Sequence, residues 1–226
     1  MNKLLIILSV LFFSFSCTTK NNEKFNLKEG DILFQDSDCG PFCESIEKVT
    51  FGYKGSKFSH VGMVIYNDSN ELIVIEAISE GVVKTSLHDF LNRSFDAKNN
   101  PKVAVGRIKK QHQNLLKKAI EFSKTKLGLA YDEVFDITNN KYYCSELIYD
   151  SFKFANENKP IFELQKMTYK DPATNKTFPI WDDYFKKLGV PIPEGKPGLN
   201  PGGMSKSKYL DIVHFYGKPE GYLNQE

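Results

Sequence analysis

Four consecutive turn-forming residues, Asn67-Asp68-Ser69-Asn70, separate two apolar runs rich in β-branched side chains. Phe58 to Tyr66 carries Val61, Met63, Val64 and Ile65, and Glu71 to Ile78 reads Glu-Leu-Ile-Val-Ile-Glu-Ala-Ile. A parallel neighbour needs a crossover of a dozen or more residues, so a connection this short returns the second run antiparallel to the first, as a hairpin. Lys28 to Phe34, with a turn at Gly30-Asp31 before Ile32-Leu33-Phe34, reads as a strand, as do Val103 to Ile108 and Asp211 to Tyr216. From Gln113 the period changes. Leu115, Leu116, Ala119, Ile120, Ser123 and Leu127 recur at helical spacing, Lys117, Lys118, Lys124 and Lys126 form the solvated face between them, and Gly128 ends the run. Cys144 to Ala155 reads as a second helix with Leu147, Ile148, Ser151, Phe152 and Ala155 as its inner stripe, and with Glu146 in the first turn, where the helix dipole favours an acid. Gly189 to Gly203 holds four prolines and five glycines and is expected to be irregular coil. Strands and helices do not alternate as βαβ units, so the expected class is α+β, with a mainly antiparallel sheet or partial barrel packed against helices.

The first residues stand apart from this pattern. Met1-Asn2-Lys3 is a short basic head and Leu4 to Phe15 an apolar run of 12 residues, which suits a secretory signal and falls short of the roughly 20 residues that span a bilayer. Ser14-Phe15-Ser16-Cys17 resembles a lipoprotein box, with Ser14 where the box usually carries Leu. Residues 1–16 are therefore expected to be a signal peptide, Cys17 a lipid attachment site, and residues 17–27 a polar tether ahead of one domain over 28–226. A plain secretory signal with a coincidental Cys17 is the alternative. Either way the chain is expected to be exported, and the lipidated form to be held at a membrane in the cell envelope. Composition agrees with a folded domain: 41% apolar, 26% charged and 13% aromatic residues exclude a disordered tail, a collagen or a coiled coil. Thirty basic against 28 acidic side chains leave a net charge of +2, too balanced for the basic stripe of a nucleic-acid partner.

With Cys17 lipidated, Cys39, Cys43 and Cys144 remain, an odd number, so one thiol at least has no intramolecular partner. Cys39-Gly-Pro-Phe-Cys43 could close a local disulfide in a loop that Gly40 and Pro41 keep non-helical. A metal clip is the rival, but two further ligands at metal spacing are absent nearby. Cys144 begins a helix, and a helix N-terminus favours thiolate over thiol. His60, in Phe58-Ser59-His60-Val61-Gly62, could take the thiol proton and return it to a leaving amine; Gly62 leaves its face of the strand bare. His214 is the rival base, while His88 and His112 lie in polar surroundings. Glu76 interrupts an apolar run, so if buried it needs a cation or several donors. A hairpin loop with an odd number of residues puts Glu76 on the face of His60, where it could orient the imidazole; an even loop puts the two on opposite faces, and the register stays open at this level.

Taken in order, Gly30-Asp31-Ile32-Leu33, Phe58-Ser59-His60-Val61-Gly62, the Glu76 strand, Gly128-Leu-Ala-Tyr131-Asp132, Tyr143-Cys144-Ser145-Glu146-Leu147, and Gly198-Leu-Asn-Pro-Gly202 with Met204-Ser205 resemble the circularly permuted papain-like cysteine amidases of the YiiX/YaeF type, relatives of the NlpC cell-wall hydrolases. The resemblance covers roughly residues 28 to 216. It implies a permuted papain-like fold in which His60 and Glu76 precede Cys144 along the chain, with Cys144 as nucleophile, His60 as base and Glu76 as the acid that orients it. It also implies a pocket role for Tyr131, and an oxyanion site that includes the Cys144 N–H, since a helix start offers free donors. Asp31 matches too and reads as a structural residue at a strand start. The Cys39 and Cys43 pair is no part of the resemblance.

The expected activity is hydrolysis of an amide or related acyl bond in a small-molecule, peptide, cell-wall or lipid-like substrate through an acyl-enzyme, with no metal or organic cofactor. Acyl transfer or thioester cleavage by the same thiol, a non-catalytic envelope binding module, and a disulfide exchanger built on Cys39 and Cys43 are the alternatives.

Overall fold

The computed structural model describes residues 25–223; the expected signal peptide over 1–16, the expected lipid attachment at Cys17 and most of the expected tether over 17–27 lie outside them. In chain order the elements are β1 (Ile32–Gln35), α1 (Pro41–Val49), β2 (His60–Tyr66), β3 (Leu72–Ile78), β4 (Gly81–Ser86), α2 (Leu87–Leu91), β5 (Val103–Ile108), α3 (Leu116–Lys124), α4 (Cys144–Ala155), β6 (Gln165–Lys166), α5 (Pro179–Leu188), β7 (Pro197–Gly198), α6 (Pro201–Met204) and β8 (Leu210–Phe215). Among the described residues, six strands make one sheet in the order β4-β3-β2-β1-β5-β8, and each neighbouring pair is antiparallel. The class is α+β, and no helix among the described residues is long and apolar enough to cross a membrane.

Met63 pairs with Ile75 and Tyr66 with Leu72, so residues 67–71 form a five-residue loop. That odd number places His60, Gly62, Val74 and Glu76 on one face of the hairpin. A second hairpin follows at once, since Ile78 pairs with Gly81 and Glu76 with Val83, which brings Thr85 onto the face of Glu76. This strand was not anticipated; Gly81-Val-Val-Lys-Thr-Ser86 is too short and polar to stand out, and it is held as the edge partner of β3.

The two sheet faces bury different clusters. Ile32, Phe34, Met63, Ile65, Ile75 and Ala77 pack with Leu147, Ile148 and Phe152 of α4 and Ala119 and Ile120 of α3. Leu33, Val64, Val74, Val103 and Val105 pack around Phe90 of α2. A third, aromatic cluster holds α5 in place: Phe135, Tyr143, Tyr169, Phe178, Trp181 and Phe185.

Four local expectations change. Gly40 and Pro41 do not keep residues 39–43 out of a helix: Gly40 takes φ 68° just before Pro41, which occupies the first turn of α1, where its missing N–H costs nothing and its fixed φ suits the helix. The helical stretch that the pattern starts at Gln113 opens as a 3-10 turn over Lys110–Leu115 and becomes α only at Leu116. The Gly189 to Gly203 segment is not wholly coil, because Asn200 caps α6 by accepting the Gly202 N–H at 2.7 Å and Pro197–Gly198 pairs with Gln165–Lys166. Glu146 does not gain from the helix dipole as an anion. It is buried, accepts the Tyr143 N–H at 3.4 Å, and burial, then repulsion from Asp132, pushes its carboxyl up to about 9, so desolvation outweighs the dipole.

Candidate active site

Cys144 is buried at the first position of α4 and is the free cysteine among the described residues. Tyr143, the preceding residue, is extended, and its hydroxyl accepts the Leu199 N–H at 3.1 Å, which ties the helix start to the chain ahead of α6. Leu147, Ile148 and Phe152 fasten α4 to the sheet, so the thiol has a fixed position at the mouth of the helix. Its N–H belongs to the first turn, outside the intrahelical ladder.

The side chains of His60 and Glu76 meet directly. His60 Nε2 lies 2.6 Å from Glu76 Oε2, which leaves Nδ1 as the ring nitrogen free to exchange a proton with the Cys144 thiol, its partner in the same cleft. Glu76 is 0% exposed and is surrounded by donors. Arg93 Nη1 donates to Oε2 at 2.8 Å and Nη2 to Oε1 at 2.5 Å, and the Thr85 hydroxyl donates to Oε1. A buried carboxylate needs such partners. Burial would raise its pKa, but hydrogen bonds and charge from His60 and Arg93 bring it down to about 2. For His60 the balance runs the other way. Burial pulls the imidazole down, yet hydrogen bonds to Cys144 and Glu76, with their charges, raise it to about 9. The Cys144 thiol is opposed by burial and lowered by hydrogen bonding and charge from His60, then by Ser145 and the Val61 N–H. Each shift favours a thiolate beside an imidazolium at neutral pH.

Gly62 has a use here. A Cβ at this position would stand 2.5 Å from Val74 Cγ1, 3.2 Å from the Phe90 ring and 3.4 Å from Glu76 Cβ. Without it, Phe90 lies against the strand, its ring 5.8 Å from the His60 ring and 5.1 Å from the Arg93 guanidinium.

Cys144 and His60 open into a cleft of about 700 Å³. Phe42 and Ile46 of α1, Tyr131, Phe135, Trp181 and Tyr184 make much of its wall apolar and aromatic. Tyr131 therefore lies in the cleft with Cys144, where burial, then the Cys144 charge, holds its phenol well above the ordinary range. Cys39 and Cys43 also line the cleft and are joined by a disulfide across the first turn of α1. The other histidines are elsewhere. His214 stacks on Phe25 at 4.1 Å, His112 lies against Tyr209 and His88 is exposed beside Asp89. Asp31 is buried at the start of β1 and forms a two-pronged ion pair with Arg107, at 2.7 and 2.6 Å.

Arg93 and Thr85 were missed in the sequence. The signal for a cation was the carboxylate in an apolar run, but nothing in Asn92-Arg93-Ser94 marks that arginine above the others, since only the return of the chain through α2 brings it to β3.

Comparison with known proteins agrees with this fold. A solved structure described as the metalloprotein yiiX from Escherichia coli O157:H7 superposes with a TM-score of 0.65 over 84% of this chain and 98% of that one, at 24% identity. No curated protein matches the chain. Residues 26–214, which hold every strand and helix described here but the last residue of β8, match the family described as permuted papain-like amidase enzyme, YaeF/YiiX, C92, and the chain is accordingly a member of that family of cysteine amidase and peptidase-like enzymes.

Proposed function

We propose that the protein is an envelope-anchored cysteine hydrolase that cleaves an amide or related acyl bond through a thioester on Cys144. The observation that carries this reading is the free thiol at the mouth of α4 in one cleft with an imidazole whose Nε2 is held at 2.6 Å by a buried, arginine-paired carboxylate. The Cys144 thiolate adds to the carbonyl carbon, and the oxyanion is placed to accept the Cys144 N–H. Collapse breaks the carbon–nitrogen bond while the His60 imidazolium gives its proton to the departing amine. Water then attacks the thioester, His60 takes its proton, and the acid leaves with Cys144 restored as thiolate. Glu76 stays ionised throughout and keeps the ring in the productive tautomer. The aromatic cleft wall suits an apolar acyl or side-chain group on one side of the scissile bond.

The anchor in this proposal is a lipid on Cys17 after loss of residues 1–16, supported by the basic head, the 12-residue apolar run and the motif before the cysteine. The similar structure is described as a metalloprotein. Among the described residues of this chain no three His, Cys, Asp or Glu side chains are grouped to hold a metal ion.

The test is mass spectrometry of the purified protein after exposure to candidate amides and acyl lipids, together with the pH profile of iodoacetamide alkylation. Acyl mass on the Cys144 peptide, and alkylation well below pH 8 that slows in His60→Ala, are expected. A rate that rises only with an ordinary thiol pKa would point to a binding module instead.

A further inference from the structure

Arg93, the cation paired with Glu76, sits in irregular chain just past the end of α2, where Asn92 is the C-cap. No helix or strand ladder holds the backbone there, so its place must come from tertiary contacts. Two such contacts straddle it, and both run to the end of β1. Gln35 Nε2 donates to the Phe90 carbonyl at 2.8 Å, and the Ser94 hydroxyl donates to the Asp36 carbonyl at 2.6 Å. Gln35, Phe90 and Ser94 are all buried. Two successive residues, Gln35 and Asp36, therefore hold the segment from Phe90 to Ser94 on both sides of Arg93. Gln35 also pairs with His60 across β1 and β2, so the strand end that carries this clamp is the one that borders the catalytic histidine.

Core packing does not explain a glutamine at this position. Ile32, Leu33 and Phe34 before it are apolar and, like it, 0% exposed, and its Oε1 is buried without a hydrogen-bond partner. An apolar side chain would avoid that cost. What Gln35 supplies is a donor. The Phe90 carbonyl lies in the last turn of the five-residue α2, beyond the reach of the helix's own N–H groups, and only the NH2 end of the amide can face it. Loss of the amide exchanges one orphaned acceptor, Oε1, for another, the Phe90 carbonyl, so overall stability changes little while the hold on the segment is lost. Phe90 in turn sets its ring 5.1 Å from the Arg93 guanidinium. The other charges near Arg93, Glu80 and Asp89, are exposed and act on it only through their charge.

We propose that Gln35 and Ser94 are positioning residues of the thiol site, which clamp the Phe90–Ser94 segment to the end of β1 so that Arg93 is presented to Glu76 and the carboxylate stays ionised behind His60. The proposal rests on the hydrolase reading and deepens it, by extending the site to two side chains that act through Arg93. Its test is the rate of Cys144 alkylation by iodoacetamide from pH 6 to 10 in the full-length wild type, Gln35→Met, Ser94→Ala, Glu76→Gln, and each of the first two variants combined with Glu76→Gln, with thermal melts to show that each is folded. At pH 6.5 Gln35→Met and Ser94→Ala should each react about threefold or more slowly than the wild type, and their profiles should converge with it towards pH 10. In the Glu76→Gln background the same substitutions should change the rate by less than about a factor of two, because the charge through which they act is gone. A merely structural role would slow alkylation in both backgrounds. Wild-type rates in the single variants, or losses that persist undiminished beside Glu76→Gln, would overturn the clamp, and Ser94→Ala carries the test of its route through Arg93 if Gln35→Met does not fold, in which case Gln35 is a residue of the fold and its part in the proposal is withdrawn. A wild-type profile that rises only with an ordinary thiol pKa would refute the thiol chemistry itself, so failure of one reading is distinguishable from failure of the other.

Discussion

Replacing Glu76 by Gln keeps an acceptor for His60 Nε2 and removes the charge behind the ring. His60 is raised from 6.5 to about 9, a difference of about 3 kcal/mol at about 1.4 kcal/mol per tenfold. Hydrogen bonds and charge from two neighbours, Cys144 and Glu76, produce that rise against burial. Gln keeps a hydrogen bond to the ring but not the charge, so part of that rise is lost, and on the order of a tenfold loss of the thiolate–imidazolium form relative to the neutral pair is expected. Arg93, 30% exposed, can turn to water when its partner is neutral. The assay is the second-order rate of Cys144 alkylation by iodoacetamide from pH 5 to 10. At pH 6.5 Glu76→Gln should react roughly tenfold more slowly than the wild type, and the two profiles should converge towards pH 10, where the thiol ionises without help. Profiles that superimpose within a factor of two below pH 8, in a variant whose near-ultraviolet dichroism is native, would refute the argument that the carboxylate sustains the ion pair.

Other consequences follow from the same contacts. Arg93→Met leaves the Glu76 carboxylate buried with only His60 and Thr85, and urea unfolding at pH 7 should show a loss of about 2 kcal/mol, below the 3–5 of a fully buried pair because Arg93 is partly exposed. The sign with pH is set by a Glu76 pKa of about 2 against an ordinary 4.5: the stability it contributes is present above 4.5, so the Arg93→Met deficit should shrink as pH falls from 4.5 towards 2. Glu47 is the opposite case, with a folded pKa of about 7 against 4.5, so stability is full below 4.5 and is lost as pH rises through 7. Glu47→Gln should melt close to the wild type at pH 4.5 and be more stable at pH 8 by about 3 kcal/mol. Gly62→Ala drives a methyl into Val74, a stiff β-branched neighbour 2.5 Å away, and should cost about 1–3 kcal/mol in denaturant unfolding while slowing alkylation through displacement of Phe90 from the His60 ring.

Much of the molecule was legible one residue at a time. The runs at 58–66, 71–78 and 103–108 became β2, β3 and β5, and α4 spans Cys144–Ala155 as its stripe of Leu147, Ile148, Ser151, Phe152 and Ala155 requires, because periodicity reports the face that each element buries. Cys144 drew notice for its place at a helix start, and Glu76 for being an acid among aliphatic side chains. Local pattern could not say whether Glu76 stands with His60. One residue more or less in the hairpin loop reverses every side chain of a strand, and it is the pairing of Met63 with Ile75 that settles it. Nor could it single out Arg93 and Thr85, whose contacts with the carboxylate exist only because β4 and α2 bring the chain back beside β3. Periodicity was enough to read β1, β2, β3, β5, β8, α3 and α4, and residue type was enough to single out the side chains with the chemistry for a thiol site. Tertiary structure decided which of those side chains meet and how their charges are balanced, because proximity, burial and pKa depend on atoms far apart in the chain.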